Sequence, residues 1–164
     1  MHTLREPHHI GGTMTTESTP LLSSTIDVMP WSDPTVERRG YPIGDPYIEM
    51  FWLPVLGPTA TWLLRRLATG LDHEPQGYTV HMEDLARAIG VSYTHGRHNP
   101  FARALQRCVM FGVAQQISVI PHTTLAVRTV LPALSHRHIM RLPEQLQIAH
   151  ADWNSIQQVT HAVA

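Results

Sequence analysis

Apolar residues at Ala60, Leu63, Leu64, Leu67, Ala68 and Leu71 recur at the three- and four-residue spacing of one helix face. With Thr61, Arg65 and Thr69 opposite, the pattern predicts an amphipathic helix that opens at Gly57-Pro58. Trp62 falls on the polar side, which predicts that another helix or subunit covers it. Upstream, Asp45-Pro46 reads as an N-cap followed by proline at the first helical position. A short helix follows through Tyr47, Ile48, Met50, Phe51 and Trp52 and ends near Pro54. Residues 72–77 read as a loop. A third helix spans Met82 to Ile89 with Leu85, Ala86 and Ile89 inward, and Gly90 ends it. After a polar loop from Ser92 to His98, Asn99-Pro100 opens a fourth helix, again with a cap and an N1 proline, and Gly112 closes it. Two β-rich runs, Val113–Val119 and Thr124–Val130, flank Ile120-Pro121-His122-Thr123 and form a hairpin pattern.

The two ends of the chain read differently. Residues 1–44 are rich in Thr, Ser, Pro and Gly without periodicity, and are expected to be a disordered N-terminal tail. Trp31 is the tail residue expected to dock, and Met14 is an alternative start to Met1. A last helix starts at Pro143. Its positions Leu142, Leu146, Ala149, Trp153, Ile156, Thr160 and Val163 follow the alternating four-three spacing of a heptad seam. The seam predicts either a homodimer through this C-terminal helix or packing back onto the chain's own first helices. The expected division is therefore a tail at 1–44, a domain at 45–134, and a C-terminal helical segment at 135–164.

Charge changes the picture. Lys plus Arg total 12 and Asp plus Glu 13, so the chain is nearly neutral overall. Between Asp84 and Glu144, however, no acidic residue occurs. That stretch holds Arg87, Arg97, Arg103, Arg107, Arg128, Arg137 and Arg141, together with His95, His98, His122, His136 and His138. A local block of this sign attracts a polyanion, and nucleic acid is the commonest. Every one of the basic residues is arginine, whose planar fork suits phosphate and guanine.

The acid-free block coincides with the segment HMEDLARAIGVSYTHGRHNPFARALQRCVMFGVAQ. This segment resembles the two DNA-reading helices of the winged helix-turn-helix superfamily and its first wing strand, as found in small bacterial regulators. The DLARAIGVS portion carries the resemblance most closely. The resemblance covers roughly 45–134 and implies a mainly α fold with a small β-hairpin, a winged helix-turn-helix plus a C-terminal helix. Two features depart from the usual motif. The loop between the third and fourth helices is longer than a tight turn, and the wing tip carries Pro121 and His122 with no arginine for a minor groove.

Projected at 100° per residue, the fourth helix separates Phe101, Ala104, Leu105, Cys108, Phe111 and Gly112 from Ala102, Arg103, Gln106, Arg107 and Met110. The first set is the expected core. The second offers a major groove two arginines for guanine, a glutamine for adenine, and apolar groups for thymine methyl. Recognition helices present their N-terminal turns to the bases, so Arg103 and Gln106 rank above Met110. Arg97, His98 and Asn99 precede the helix, whose N-terminus favours phosphate, and Arg128 is placed to reach the backbone from the wing.

Other chemistry finds little support. A single cysteine, Cys108, excludes an internal disulfide and a cysteine zinc ribbon, and its core position predicts an inert thiol. The histidine pairs lack acidic or cysteine partners to complete a metal shell, so no metal or cofactor is expected. No phosphate loop, nucleophile elbow or paired-carboxylate motif points to an enzyme. No apolar run is long enough to cross a bilayer and no signal peptide is evident. The reading is a cytoplasmic transcription regulator that binds double-stranded DNA. Two alternatives stay open: a winged-helix interaction module docking an acidic partner, and a replication or partition DNA-binding protein of a mobile element.

Overall fold

The computed structural model describes residues 24–94, 99–119 and 122–163, with side chains through residue 157. The first of these residues already correct an expectation. Residues 24–44 are ordered, as strand β1 (Thr25–Pro30), helix α1 (Pro34–Arg39) and strand β2 (Tyr41–Pro42). The expectation of disorder overlooked a short alternation. Ile26 and Val28 are buried at 0 % and 2 % exposure, while Thr25 and Asp27, the residue before each, are only half-buried. Residues 1–23, the remainder of the expected tail, lie outside the described residues.

β1 sits inside a four-stranded sheet ordered β3-β1-β5-β4, in which β3 is Tyr78–His81, β4 is Ala114–Ser118 and β5 is Thr123–Val127. It pairs antiparallel with β3, Ile26 opposite Val80, and parallel with β5, Val28 opposite Leu125. β4 and β5 form the antiparallel hairpin, with a bulge between Gln116 and Ser118. The expected lone hairpin is thus the edge of a mixed sheet. A second, two-stranded sheet joins β2 to β6 (Val130–Leu131). The fold is α/β to this extent, with helices around two small sheets.

The helices follow their start and stop residues closely. Asp45 accepts from the Tyr47 N–H at 2.8 Å and opens a turn that widens into a π-helical segment, Ile48–Trp52. There the Leu53 N–H reaches back to the Ile48 carbonyl, and Pro54 has no N–H to offer Met50. Helix α2 (Leu53–Leu56) ends at Gly57, whose φ of +83° turns the chain into α3 (Pro58–His73). α3 buries Ala60, Leu63, Leu64, Leu67, Ala68 and Leu71 as its stripe requires. Thr61, expected opposite the stripe, is buried as well, because its hydroxyl donates to the Gly57 carbonyl and needs no solvent. Gly70 is required by the approach of the Tyr78 ring, which would meet a Cβ there, and the Tyr78 hydroxyl donates to the Leu67 carbonyl at 2.9 Å.

Helices α4 (Met82–Ala88) and α5 (Pro100–Met110) end alike. Gly90 and Gly112 adopt φ of +74° and +69°. Val91 and Val113 N–H groups reach the carbonyls of Ala86 and Cys108, which is the Schellman arrangement. Helix α6 (His136–Ile139) is one turn, and α7 (Glu144–Val163) closes the chain. One core unites Ile26, Val28, Phe51, Leu64, Leu67, Phe101, Cys108, Leu125, Val127, Leu131 and Leu142. It draws on all three of the segments that the sequence separates.

The first half of α7 packs inward. Leu142 is buried, and Leu146, Ala149 and Trp153 lie against the core, so these seam positions serve the chain itself. Trp153 closes an aromatic cluster with Tyr41, Tyr47 and Phe51, in which the Tyr41 and Tyr47 rings stack at 3.7 Å. Within it, His150 is 4 % exposed and meets the Tyr47 hydroxyl at 2.7 Å through Nε2, while that hydroxyl accepts from the Leu134 N–H. Burial pushes the His150 pKa below the ordinary histidine value and the Tyr47 pKa up to about 12. Ile156, further along the seam, is 64 % exposed.

Candidate nucleic-acid interface

α5 is built as a two-faced rod. Asn99 caps it, accepting from the Ala102 N–H at 2.7 Å, and Pro100 takes the first helical position. Phe101, Ala104 and Cys108 press against α3 and the sheet at 1 %, 3 % and 0 % exposure. Opposite them Arg103 and Gln106 are exposed one turn apart, and Met110 is 65 % exposed at the far end. Neither the Arg103 guanidinium nor the Gln106 amide has a hydrogen-bond or ion-pair partner among the described residues. Arg87 on α4 is exposed too, whereas the first turn of α4 carries the exposed carboxylates Glu83 and Asp84.

The other site candidates have internal work. Arg107 donates from Nε to the Leu56 carbonyl at 2.7 Å and from Nη2 to the Val55 carbonyl at 2.6 Å. It thereby caps the C-terminus of α2, where carbonyls lack helical partners and a cation is favoured. Its guanidinium also lies 5.3 Å from the Phe111 ring centroid. Helical projection puts Arg107 on the outer face correctly at the Cα, but a long side chain lets its head fold back to the neighbouring helix.

Arg128 is similarly engaged. Its guanidinium stacks 3.9 Å from the Trp31 ring centroid, bonds the Gly112 carbonyl, and pairs with the Asp33 carboxylate at 3.2 Å. The Val36 N–H, with Arg128 adding to it, holds the Asp33 carboxyl below its ordinary value. Trp31 therefore docks as expected, onto the end of β5, with its N–H donating to the Val127 carbonyl. Asn99 is 5 % exposed and gives its amide to the Thr94 carbonyl at 2.5 Å, so it shapes the helix start from inside. Arg97 and His98 lie outside the described residues.

The structure thus brings Arg103, Gln106 and Met110 to one open face and turns Arg107, Arg128 and Asn99 inward. Sequence periodicity separates the two faces of α5, but the inward turn depends on Val55, Leu56, Trp31 and Asp33, about which local pattern says nothing. Cys108 lies beneath the same helix, its thiol 3.6 Å from the Ala60 carbonyl and pushed up to about 12 by burial.

Two further observations bound the chemistry. A groove of about 400 Å³ on the outer side of α3 is lined by Ile43, Gly44, Trp62, Arg65, Arg66, Thr69 and Asp72. Trp62 stays 54 % exposed there, with the Arg65 guanidinium over its ring. Among the described residues no three His, Cys, Asp or Glu side chains gather to hold a metal, and no helix is long and apolar enough to cross a membrane. Compared with protein-family models, curated proteins and solved structures, the chain matches none.

Proposed function

We propose that this protein binds double-stranded DNA with the exposed face of α5, in the manner of a winged helix-turn-helix, and acts as a transcription regulator of the cytoplasm. The observation that carries the reading is the pair Arg103 and Gln106. They are exposed one turn apart on a helix whose other face is core, with no partner for either head group among the described residues. An arginine and a glutamine at this spacing can address a guanine and an adjacent adenine. The element order supports it. α3, β3, α4, α5 and the β4–β5 hairpin succeed one another as in a winged helix, with β1 inserted between β3 and β5.

The internal contacts refine the reading. Arg107 and Arg128 hold α5 and the hairpin in place, so groove contact falls to Arg103 and Gln106, and Asn99 orders the helix start. Phosphate contacts fall to Arg87 and to Arg97 and His98, which precede α5 in the chain. Because part of the α7 seam is used internally, a homodimer through that helix would have to rest on its outer residues.

A second reading has one observation in its favour. Val109 and Met110, 36 % and 65 % exposed, add apolar surface to the same face, which suits a protein partner with acidic and apolar groups. Binding-site selection from random duplexes by the full-length protein at near-physiological salt separates the two. An enriched motif, bound at least tenfold more weakly by Arg103→Ala, is the expected result. Binding without sequence preference, equal in the variant, overturns the groove-reading proposal and favours the interaction module.

A further inference from the structure

Trp62, Arg65, Arg66, Thr69 and Asp72 follow helical spacing along the side of α3 turned away from its apolar stripe. With Ile43 and Gly44 they line the groove of about 400 Å³, a size at which small ligands are held. The Ile43 N–H donates to the Thr129 carbonyl at 2.9 Å, which fixes that wall. Trp62 offers an exposed ring, with the Arg65 guanidinium 5.3 Å from its centroid. Arg65 itself is paired incompletely. Its Nη2 meets the exposed Glu49 carboxylate at 3.5 Å, well beyond the length of a charge-assisted hydrogen bond. Its Nε is buried and has no acceptor among the described residues. A buried donor of a charged group is costly to leave without an acceptor. The Nε–Nη2 edge is also the one that a carboxylate or phosphate takes with two parallel bonds. Arg66 beside it is exposed and has no partner among the described residues. Asp72 is the acid of the lining, so two guanidiniums stand there against one carboxylate.

We propose that this groove binds a small planar anion, an aromatic ring bearing a carboxylate or a phosphate. The ring lies against Trp62, and the acid sits between the Arg65 edge and Arg66. Charge and chemistry select this occupant. The acid gives the Arg65 Nε the acceptor that the protein does not supply, and it does so with a geometry that Glu49 fails to reach. A flat ring suits an indole face already backed by a guanidinium, because stacking gains most where both partners are rigid and planar. Asp72 lies at the far end of the row, more than one helical turn from Arg66, and limits the anion to the Arg65–Arg66 end. α5 packs on the other side of α3, where the Cys108 thiol meets the Ala60 carbonyl. The groove is therefore separate from Arg103 and Gln106, and the proposal stands without the DNA reading.

The test is isothermal titration calorimetry of the full-length protein with two anions, naphthoate and adenosine monophosphate. Each is run beside its uncharged counterpart, naphthamide and adenosine. At least one anion is expected to bind with a dissociation constant below about 1 mM, and about tenfold more tightly than its counterpart, as a charge-assisted contact supplies. Binding of naphthoate alone assigns the groove to aromatic carboxylates, and binding of the nucleotide alone assigns it to phosphates. Trp62→Leu and Arg66→Gln, both at exposed positions, are each expected to weaken the bound anion at an unchanged melting temperature. Arg65→Lys keeps the charge and removes the fork, and it is expected to weaken binding about tenfold. Asp72→Asn is expected to leave binding as tight or tighter. The proposal is overturned if neither anion binds saturably, or if the anions bind no better than their neutral counterparts. It is overturned equally by an affinity that Trp62→Leu, Arg65→Lys or Arg66→Gln leaves unchanged.

Discussion

Helix α3 and strand β1 both enter the core, yet they are held there by opposite means. α3 satisfies its backbone within sixteen consecutive residues and needs neighbours only for its apolar stripe. β1 satisfies its backbone entirely on strands far along the chain, β3 on one side and β5 on the other. The first could form its hydrogen bonds alone, and the second could not. Such a strand is cheap in sequence and expensive in context. Two buried side chains, Ile26 and Val28, are enough to mark its inner face, but removing it leaves two strands with no partner between them. The same division runs through the candidate interface. Arg103 depends on nothing beyond its own helix, while Arg107 and Arg128 hold segments that lie far apart in the chain.

Breaking the long-range half of this comparison should produce the largest effects. Deletion of residues 1–40 removes β1 and α1, and we expect loss of the cooperative unfolding transition in near-ultraviolet circular dichroism. A cooperative melt in the deleted protein would mean that β3 and β5 can close on each other. Val28→Asp, which sets a carboxylate among core side chains, should cost about 4 kcal/mol or more in urea denaturation. Leu64→Ala on α3 sharpens the contrast. It leaves the helix ladder intact and should cost about 3 kcal/mol, the ordinary price of a core cavity.

Arg107→Ala comes next. It strips the Val55 and Leu56 carbonyls of their donors and should lower stability by about 2 kcal/mol, read as a shifted urea midpoint with an unchanged slope. Lysine should rescue only part of this, because one ammonium cannot reproduce the two-pronged contact. A midpoint unmoved by Arg107→Ala would return that side chain to the list of groove contacts.

A smaller, pH-dependent effect is expected at His150. Its folded pKa is lowered from the ordinary 6.5, so between the two values the unfolded chain binds the proton more readily. Its contribution to stability is complete above about pH 6.5 and is lost as pH falls through the lower folded value. The ring faces the Tyr47 hydroxyl, Phe51 and Asn154, with no charged group among these contacts. His150→Phe should therefore flatten the acid limb of the stability profile relative to wild type, and parallel profiles would show that His150 titrates normally. The smallest change in stability belongs to Arg103→Ala, within about 0.5 kcal/mol, since none of the described residues pairs with that guanidinium. A larger loss would place a structural partner on it.

How much of this was legible in the linear chain follows the same line. Asp45-Pro46 and Asn99-Pro100 as helix starts, Gly90 and Gly112 as helix ends, and the α3 stripe were all readable. Each is a local match of side chain to backbone within one turn. The exposed pair Arg103 and Gln106 was readable for the same reason. β1 and β3 were not, because four to six residues of alternation are too few to stand out, and β1 lies in a Ser-, Thr- and Pro-rich surround. The heptad seam of α7 was a true apolar face, yet a face does not name its partner. Its first half found the chain's own aromatic cluster.

The sequence by itself determined where α3, α4 and α5 begin and end, which side of each is apolar, and that α5 offers polar, basic chemistry outward, because these depend on neighbours within a few residues. Only the tertiary structure decided that Thr25–Pro30 lies between β3 and β5. It alone turned Arg107 and Arg128 inward, and it buried His150 against a tyrosine 103 residues away. Those outcomes depend on which unsatisfied carbonyls, rings and strand edges the folded chain brings within hydrogen-bonding distance, and no local periodicity encodes that.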